Sequence, residues 1–193
     1  MRNLVGLDLS TSAAAAVAVP TDWDGNWQRV QSVVVGNPKP ARMKPEQLRE
    51  WDTEDARIQR AERIAQLLGN FCRGVGASEA WIESYAFNLH TSAHTLGELG
   101  GIVRLELMRA GIALQVAQMS TARKLLLGHV PRGKAQVPGS KQTTSAAKIA
   151  ARSALVHAGA PPDWTLDQVD AMVAVNLGLS NHVGAYCFCQ EAA

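Results

Sequence analysis

Apolar residues recur along the chain with two periods, one of two residues and one near 3.6, and the order in which these alternate sketches an α/β protein. Residues 4–9, Leu-Val-Gly-Leu-Asp-Leu, make a short apolar run that reads as a buried strand, 13–19 read as a second strand and 27–35 as a third. The segment 21–26, with two aspartates, a glycine and an asparagine, supplies the turn between the last two, so the three strands form an antiparallel meander. Pro38, Pro40 and Pro45 with Lys39 and Lys44 then break the periodicity, and about 36–52 is expected to be a surface linker or insertion.

Helical spacing follows. Ile58, Ala61, Ala65 and Leu68 share one face while Arg57, Arg60 and Arg63 fall mostly on the other, the pattern of an amphipathic helix packed on a sheet. Residues 80–83 read as a strand, and 91–109 as a helix with Leu96, Leu99, Val103 and Leu107 facing inward. Gly97, Gly100 and Gly101 lie inside that helix, where each costs about 1 kcal/mol against alanine, so a close neighbour, a second helix first of all, is expected against its backbone.

Residues 113–116 predict another strand, 121–127 a brief helix capped by Ser120, and 143–157 a longer helix, with a loop at about 129–141 rich in glycine, proline and basic residues. Thr165-Leu166-Asp167-Gln168 has the form of a capping box and opens a last helix running to about 179. The succession implies a mixed sheet, antiparallel strands 1–3 followed by parallel strands, with helices on both faces. At 193 residues, 47% of them apolar, the chain suits one domain over 1–193, and it carries no internal repeat.

Composition excludes little. A net charge of +2 neither requires nor forbids a nucleic-acid partner, so charge distribution has to decide. Cys72, Cys187 and Cys189 are an odd set without the quartet of a zinc site, and His90 and His94 read as a satisfied helix terminus rather than as ligands. No signal peptide is visible and no apolar stretch approaches the roughly 20 residues that cross a bilayer. A cytoplasmic protein without membrane or small-molecule cofactor is the expectation.

Four acids change the picture. Asp8 interrupts the apolar first strand, where an unpartnered carboxylate is expensive to bury, and Glu83 closes the strand at 80–83 in the same way. Asp167 and Asp170 stand one turn apart at the start of the last helix; acids favour helix N-termini in any protein, but here they complete a set. Converging at one end of a sheet, four hard oxygen donors suit two divalent cations that clamp a phosphodiester, with Asp8 as the bridging ligand. Arg123, Lys124, Arg132, Lys134, Lys141 and Lys148 occupy one short stretch with no acid among them, the distribution expected of phosphate contacts.

Gly6-Leu7-Asp8-Leu9-Ser10-Thr11-Ser12, Trp81-Ile82-Glu83-Ser84-Tyr85-Ala86-Phe87, the Gly-rich helix and Leu166-Asp167-Gln168-Val169-Asp170-Ala171 together resemble the RuvC family of Holliday-junction resolvases in order and spacing, over roughly residues 3–180. The resemblance implies an RNase H-like fold and a homodimer that cuts four-way junctions and other branched DNA. It also implies catalytic Mg²⁺, two ions per site and replaceable by Mn²⁺, held by Asp8, Glu83, Asp167 and Asp170. Lys124 and Lys141 fall where that family places basic residues beside the scissile phosphate, with Lys134, Arg132 and Arg123 as competitors. Tyr85 or Phe87 takes the place of an aromatic that stacks on an unpaired base, and either could instead seal the core beneath its loop. The first motif also resembles a phosphate motif of actin-like kinases, for whose second half 193 residues leave no room. Other RNase H-like nucleases, YqgF-like or hybrid-cleaving, share the acidic logic, and a non-catalytic junction-binding protein would keep the basic residues.

Overall fold

The computed structural model describes residues 2–10, 13–36, 44–51, 53–84 and 93–183. Five strands form one sheet: β1 (Asn3–Leu9), β2 (Ala13–Pro20), β3 (Gln31–Gly36), β4 (Ala77–Glu83) and β5 (Ala113–Ala117). They lie in the order β3-β2-β1-β4-β5, with β1, β2 and β3 antiparallel neighbours and β4 and β5 added in parallel, as the element order predicts. Ser10 closes the β1–β2 turn, its hydroxyl donating to the Ala13 carbonyl at 2.5 Å and accepting from the Ala13 amide at 3.0 Å.

Helices cover both faces. α2 (Glu54–Gly74) and α3 (Ala93–Arg109) pack on Val5, Leu7 and Leu9 of β1 and on Ala80 and Ile82 of β4. On the other face α4 (Met119–Leu127), α5 (Ala146–His157) and α6 (Leu166–Val183) pack on Leu4 and on Trp81. Odd-numbered positions of β1 therefore serve the first core, and even-numbered ones face the second, because successive side chains of a strand point to opposite sides.

α6 is the least ordinary of these helices. From Val169 to Asn176 every residue is buried, so it lies sunk against the sheet rather than resting on it. Two glycines permit this. A Cβ on Gly6 of β1 would overlap the backbone carbonyl oxygen of Ala171, and one on Gly178 would strike the Trp81 indole. The first turn is held by the expected capping box: the Thr165 hydroxyl accepts from the Gln168 amide at 3.2 Å, and the Gln168 side chain accepts from the Thr165 amide at 2.9 Å. The side-chain Nε2 of Gln168 donates to the Ser32 hydroxyl of β3 at 3.0 Å.

Several elements depart from the sequence pattern. Residues 27–29 are a 3₁₀ turn instead of the start of a strand: Trp27 stacks edge-on between Trp23 and Trp164, with centroids 5.0 and 5.7 Å away, which turns the chain out of the extended form. Ile58 is partly exposed, and Ile64 takes the inward place on α2. On α3, Leu96 is half-buried, and nothing approaches Gly97 or Gly101; the close helix contact is made at Gly69 of α2, against the Glu106 side chain. Ser120 lies within α4, whose cap is Gln118 with no side-chain bond. Residues 143–145 are not helical but form strand β7 (Thr143–Ser145), which pairs antiparallel with β6 (Lys134–Gln136), so the basic loop contains a small hairpin; Ser145 caps α5 instead. The region expected as a linker contains a helix, α1 (Pro45–Trp51), begun by a proline at the position a helix tolerates best. The Arg60 guanidinium on α2 lies 4.3 Å from the Trp51 ring and anchors it.

Gly6→Ala tests the seating of α6. The added methyl meets backbone on a helix that cannot move outward without exposing its core, so the variant should lose at least about 1–3 kcal/mol in urea unfolding, whereas Gly97→Ala, on open surface, should lose nothing.

Candidate metal centre

Strand alternation decides which acids meet. Leu4, Gly6 and Asp8 of β1 share the α6 side of the sheet; on β4, Trp81 and Glu83 do. The parallel register pairs Gly6 with Trp81 and Leu7 with Ile82, which leaves Asp8 and Glu83 side by side at the carboxyl ends of the two strands. Over them α6 lays Asp170, the residue before the one whose carbonyl seats on Gly6. Carboxylate oxygens of Asp8, Glu83 and Asp170 all lie within 4.8 Å of one another. Asp8 and Asp170 are buried and Glu83 half-buried.

Asp167, one turn earlier, is not in this triad. Its side chain is 35% exposed at the first turn of α6, and it joins through a cation: the Lys148 ammonium of α5 lies 2.7 Å from Asp170 Oδ2, 3.4 Å from Asp167 Oδ1 and 3.8 Å from Asp8 Oδ2. Arg123 of α4 pairs with the other Asp170 oxygen at 2.8 Å. Burial pushes the Asp8 carboxyl up to about 9, reinforced by a hydrogen bond with Glu83 and by the Glu83 and Asp170 charges, against the opposing pull of Lys148. For Lys148 burial works against the charge, but Asp170, Asp8 and Asp167 together outweigh it and raise its pKa.

Six basic residues lie between 123 and 148, but only Arg123 and Lys148 of them pair with these carboxylates among the described residues. Lys124 is exposed on α4, and Arg132, Lys134 and Lys141 are exposed in and around the β6–β7 hairpin. Part of this was in the helical pattern. Lys148 stands three residues before buried Ala151 and seven before Leu155, and Arg123 four after Met119 and three before Leu126, so each flanks an apolar stripe. Reading the stretch as free of acids overlooked the acids that α6 brings. Tyr85 and Phe87, proposed to stack on a base, and Cys187, Cys189 and His90 lie outside the described residues.

The donor set fits a divalent cation. Three carboxylates offer hard oxygens over a span that an ion about 2–2.6 Å from each can bridge, and crowding them without one keeps a proton on Asp8 at neutral pH. Cys72, by contrast, is buried in the other core, where burial pushes its thiol up to about 12 and removes it from consideration as a ligand.

The Asp8 shift gives a sign to test. In the unfolded chain Asp8 releases its proton near its ordinary 3.8; folded and metal-free it keeps it to about 9. Between those limits the folded state holds the extra proton, so rising pH removes stability through this group. Asp8→Asn should therefore be more stable than the unsubstituted chain at pH 8 in chelator, with the gap closing towards pH 4, as read by thermal unfolding across that range. Mn²⁺ should raise the melting temperature of the unsubstituted chain, more at pH 8 than at pH 6, and not that of Asp8→Asn.

No protein-family description matches the chain, and no curated protein does. Solved structures do. RuvC from T. thermophilus in complex with a Holliday junction substrate superposes with a TM-score of 0.64 at 14% identity, over 96% of this chain and 98% of that one. A second Thermus thermophilus RuvC structure gives 0.58 at 14% identity, over 95% and 97%. Agreement over nearly the whole of both chains, with the β3-β2-β1-β4-β5 sheet and helices on its two faces, shows that this chain has the RuvC-type, RNase H-like fold.

Proposed function

We propose that the chain is a metal-dependent DNA endonuclease that resolves four-way junctions, and the observation that carries the reading is the triad of Asp8, Glu83 and Asp170, two of them buried and one half-buried, with Asp8 and Glu83 at the carboxyl ends of β1 and β4. A RuvC-type fold leaves function open, since one fold hosts several chemistries, so the side chains have to supply the argument. Asp8, Glu83 and Asp170, joined by Asp167, hold two Mg²⁺ ions, with Mn²⁺ as a substitute. The bound ions supply a water of lowered pKa and charge neutralisation at the leaving 3′ oxygen of a phosphodiester. Arg123 and Lys148 orient the carboxylates in the resting site. Lys124, Arg132, Lys134 and Lys141, all exposed, contact backbone phosphates, and Tyr85 or Phe87 stacks on an unpaired base.

A two-fold junction calls for a two-fold enzyme. On α3 the positions 97, 101, 105 and 108 share one outward face, where two glycines meet open space and Leu105 and Met108 are 47% and 64% exposed. We place the partner copy there. No helix among the described residues is long and apolar enough to cross a membrane.

Incubation with matched four-way junction, fork, duplex and RNA–DNA hybrid in Mg²⁺ tests the substrate: paired nicks in the junction are expected, with little cutting of duplex or hybrid. Preferential hybrid cleavage would move the protein to another nuclease class on this fold. Asp8→Asn should cut the junction more than about 100-fold more slowly, beyond what outer-shell changes at metal sites cost, while binding it as well as before. Ca²⁺ should support binding with little product. Cleavage that survives a chelator would end the metal reading. Sedimentation at micromolar concentration should give a dimer, and Met108→Glu a monomer that nicks a cruciform plasmid without linearising it.

A further inference from the structure

The carboxylates at the centre do not face one another across empty space. Lys148 reaches them from α5, an element that contributes no acid, and its ammonium stands where β1 and α6 bring three carboxylates together: 2.7 Å from Asp170, 3.4 Å from Asp167 and 3.8 Å from Asp8. Its side chain is 18% exposed, so water screens these attractions poorly. Ser145, the α5 cap, accepts from the Lys148 backbone amide at 3.2 Å and fixes the base of the side chain at the first turn.

A divalent cation on Asp8 and Asp170 would need the oxygen lone pairs that the ammonium now uses, at about 2–2.6 Å from each. Two cations cannot share those oxygens in so dry a place without strong mutual repulsion. Arg123 has less need to move, since it takes the other Asp170 oxygen. We propose that Lys148 is the resident counter-ion of the metal-free centre and that a divalent cation enters by displacing its ammonium, so that Lys148 weakens metal binding in the absence of DNA. This rests on the reading of the carboxylates as a metal site. The displacement is open to lysine because four rotatable carbon–carbon bonds carry the head group, which leaves the carboxylates without moving the helix. Once released, the ammonium is free for a phosphate oxygen, which makes the same side chain a guard of the empty centre and a contact of the filled one.

The test is Mn²⁺ binding to the full chain without DNA, followed by titration calorimetry at fixed pH and salt. Lys148→Met should bind Mn²⁺ about ten-fold more tightly than the unsubstituted chain. Lys148→Gln should do the same and serves should the methionine variant fold poorly, as judged by circular dichroism. Arg63→Met removes an exposed cation from α2 on the opposite face and should leave the affinity unchanged, which separates displacement from a general effect of net charge. Unchanged affinity in both Lys148 variants would overturn the proposal while leaving the metal site intact. Weaker affinity would also overturn it and make Lys148 a support for the ligands. If neither the unsubstituted chain nor the variants bind Mn²⁺, and Asp8→Asn behaves identically, the metal reading itself fails and the proposal with it.

Discussion

The contact on which the rest depends is backbone against backbone: the Ala171 carbonyl of α6 resting on Gly6 of β1, at a place where any side chain would overlap it. Gly178 gives a second close approach further along α6, here against the Trp81 indole of the neighbouring strand β4. Together they let a helix buried on all sides from Val169 to Asn176 sink into the sheet, and its burial draws on the apolar surface of β1, β2, α4 and α5. Asp170 precedes the seated residue, so the same contact that stabilises the core brings a carboxylate onto Asp8 and Glu83. Apolar packing thus overcomes both the burial of the Asp8 carboxyl and its repulsion by Glu83 and Asp170, and the price, set first by burial, shows as a raised Asp8 pKa.

Charge compensation completes the arrangement. Arg123 and Lys148 come from two further helices and neutralise part of an acidic group drawn from β1, β4 and α6. Each stands beside a buried stripe, so its stem packs while its head reaches the centre. Removing one member of such a set leaves its partners buried and uncompensated, which ties the positions of α4, α5 and α6 to the chemistry of the site as well as to the core.

A cluster of tryptophans fixes the N-terminal end of α6, just ahead of its two aspartates. Trp27 stacks between Trp23 and Trp164 and donates from its indole nitrogen to the Ala158 carbonyl, and Gly159 leaves room for its ring. This fastens the α5–α6 connection to the β2–β3 turn. With the Gln168–Ser32 hydrogen bond, it sets where the first turn of α6 begins, and therefore where Asp167 and Asp170 stand.

Much of this was legible in the chain itself, because it depends on local periodicity. The alternation around Asp8 and Glu83 assigns strands and faces, the capping box at Thr165 starts α6 where it is observed, and the element order yields the mixed sheet. The acids stand out because a carboxylate in an apolar strand demands a reason. What the sequence could not supply was distance between elements far apart in the chain. Only packing shows that Gly6, and neither Gly97 nor Gly101 of α3, meets a helix backbone, that Trp27 leaves the strand to join two other indoles, and that Asp167 stands outside the triad its neighbour joins. Lys148 is the clearest case: sequence marks it as one basic residue among six, and the meeting of α5 with β1 and α6 makes it the partner of three carboxylates, since a charge acquires its role from what the fold sets beside it.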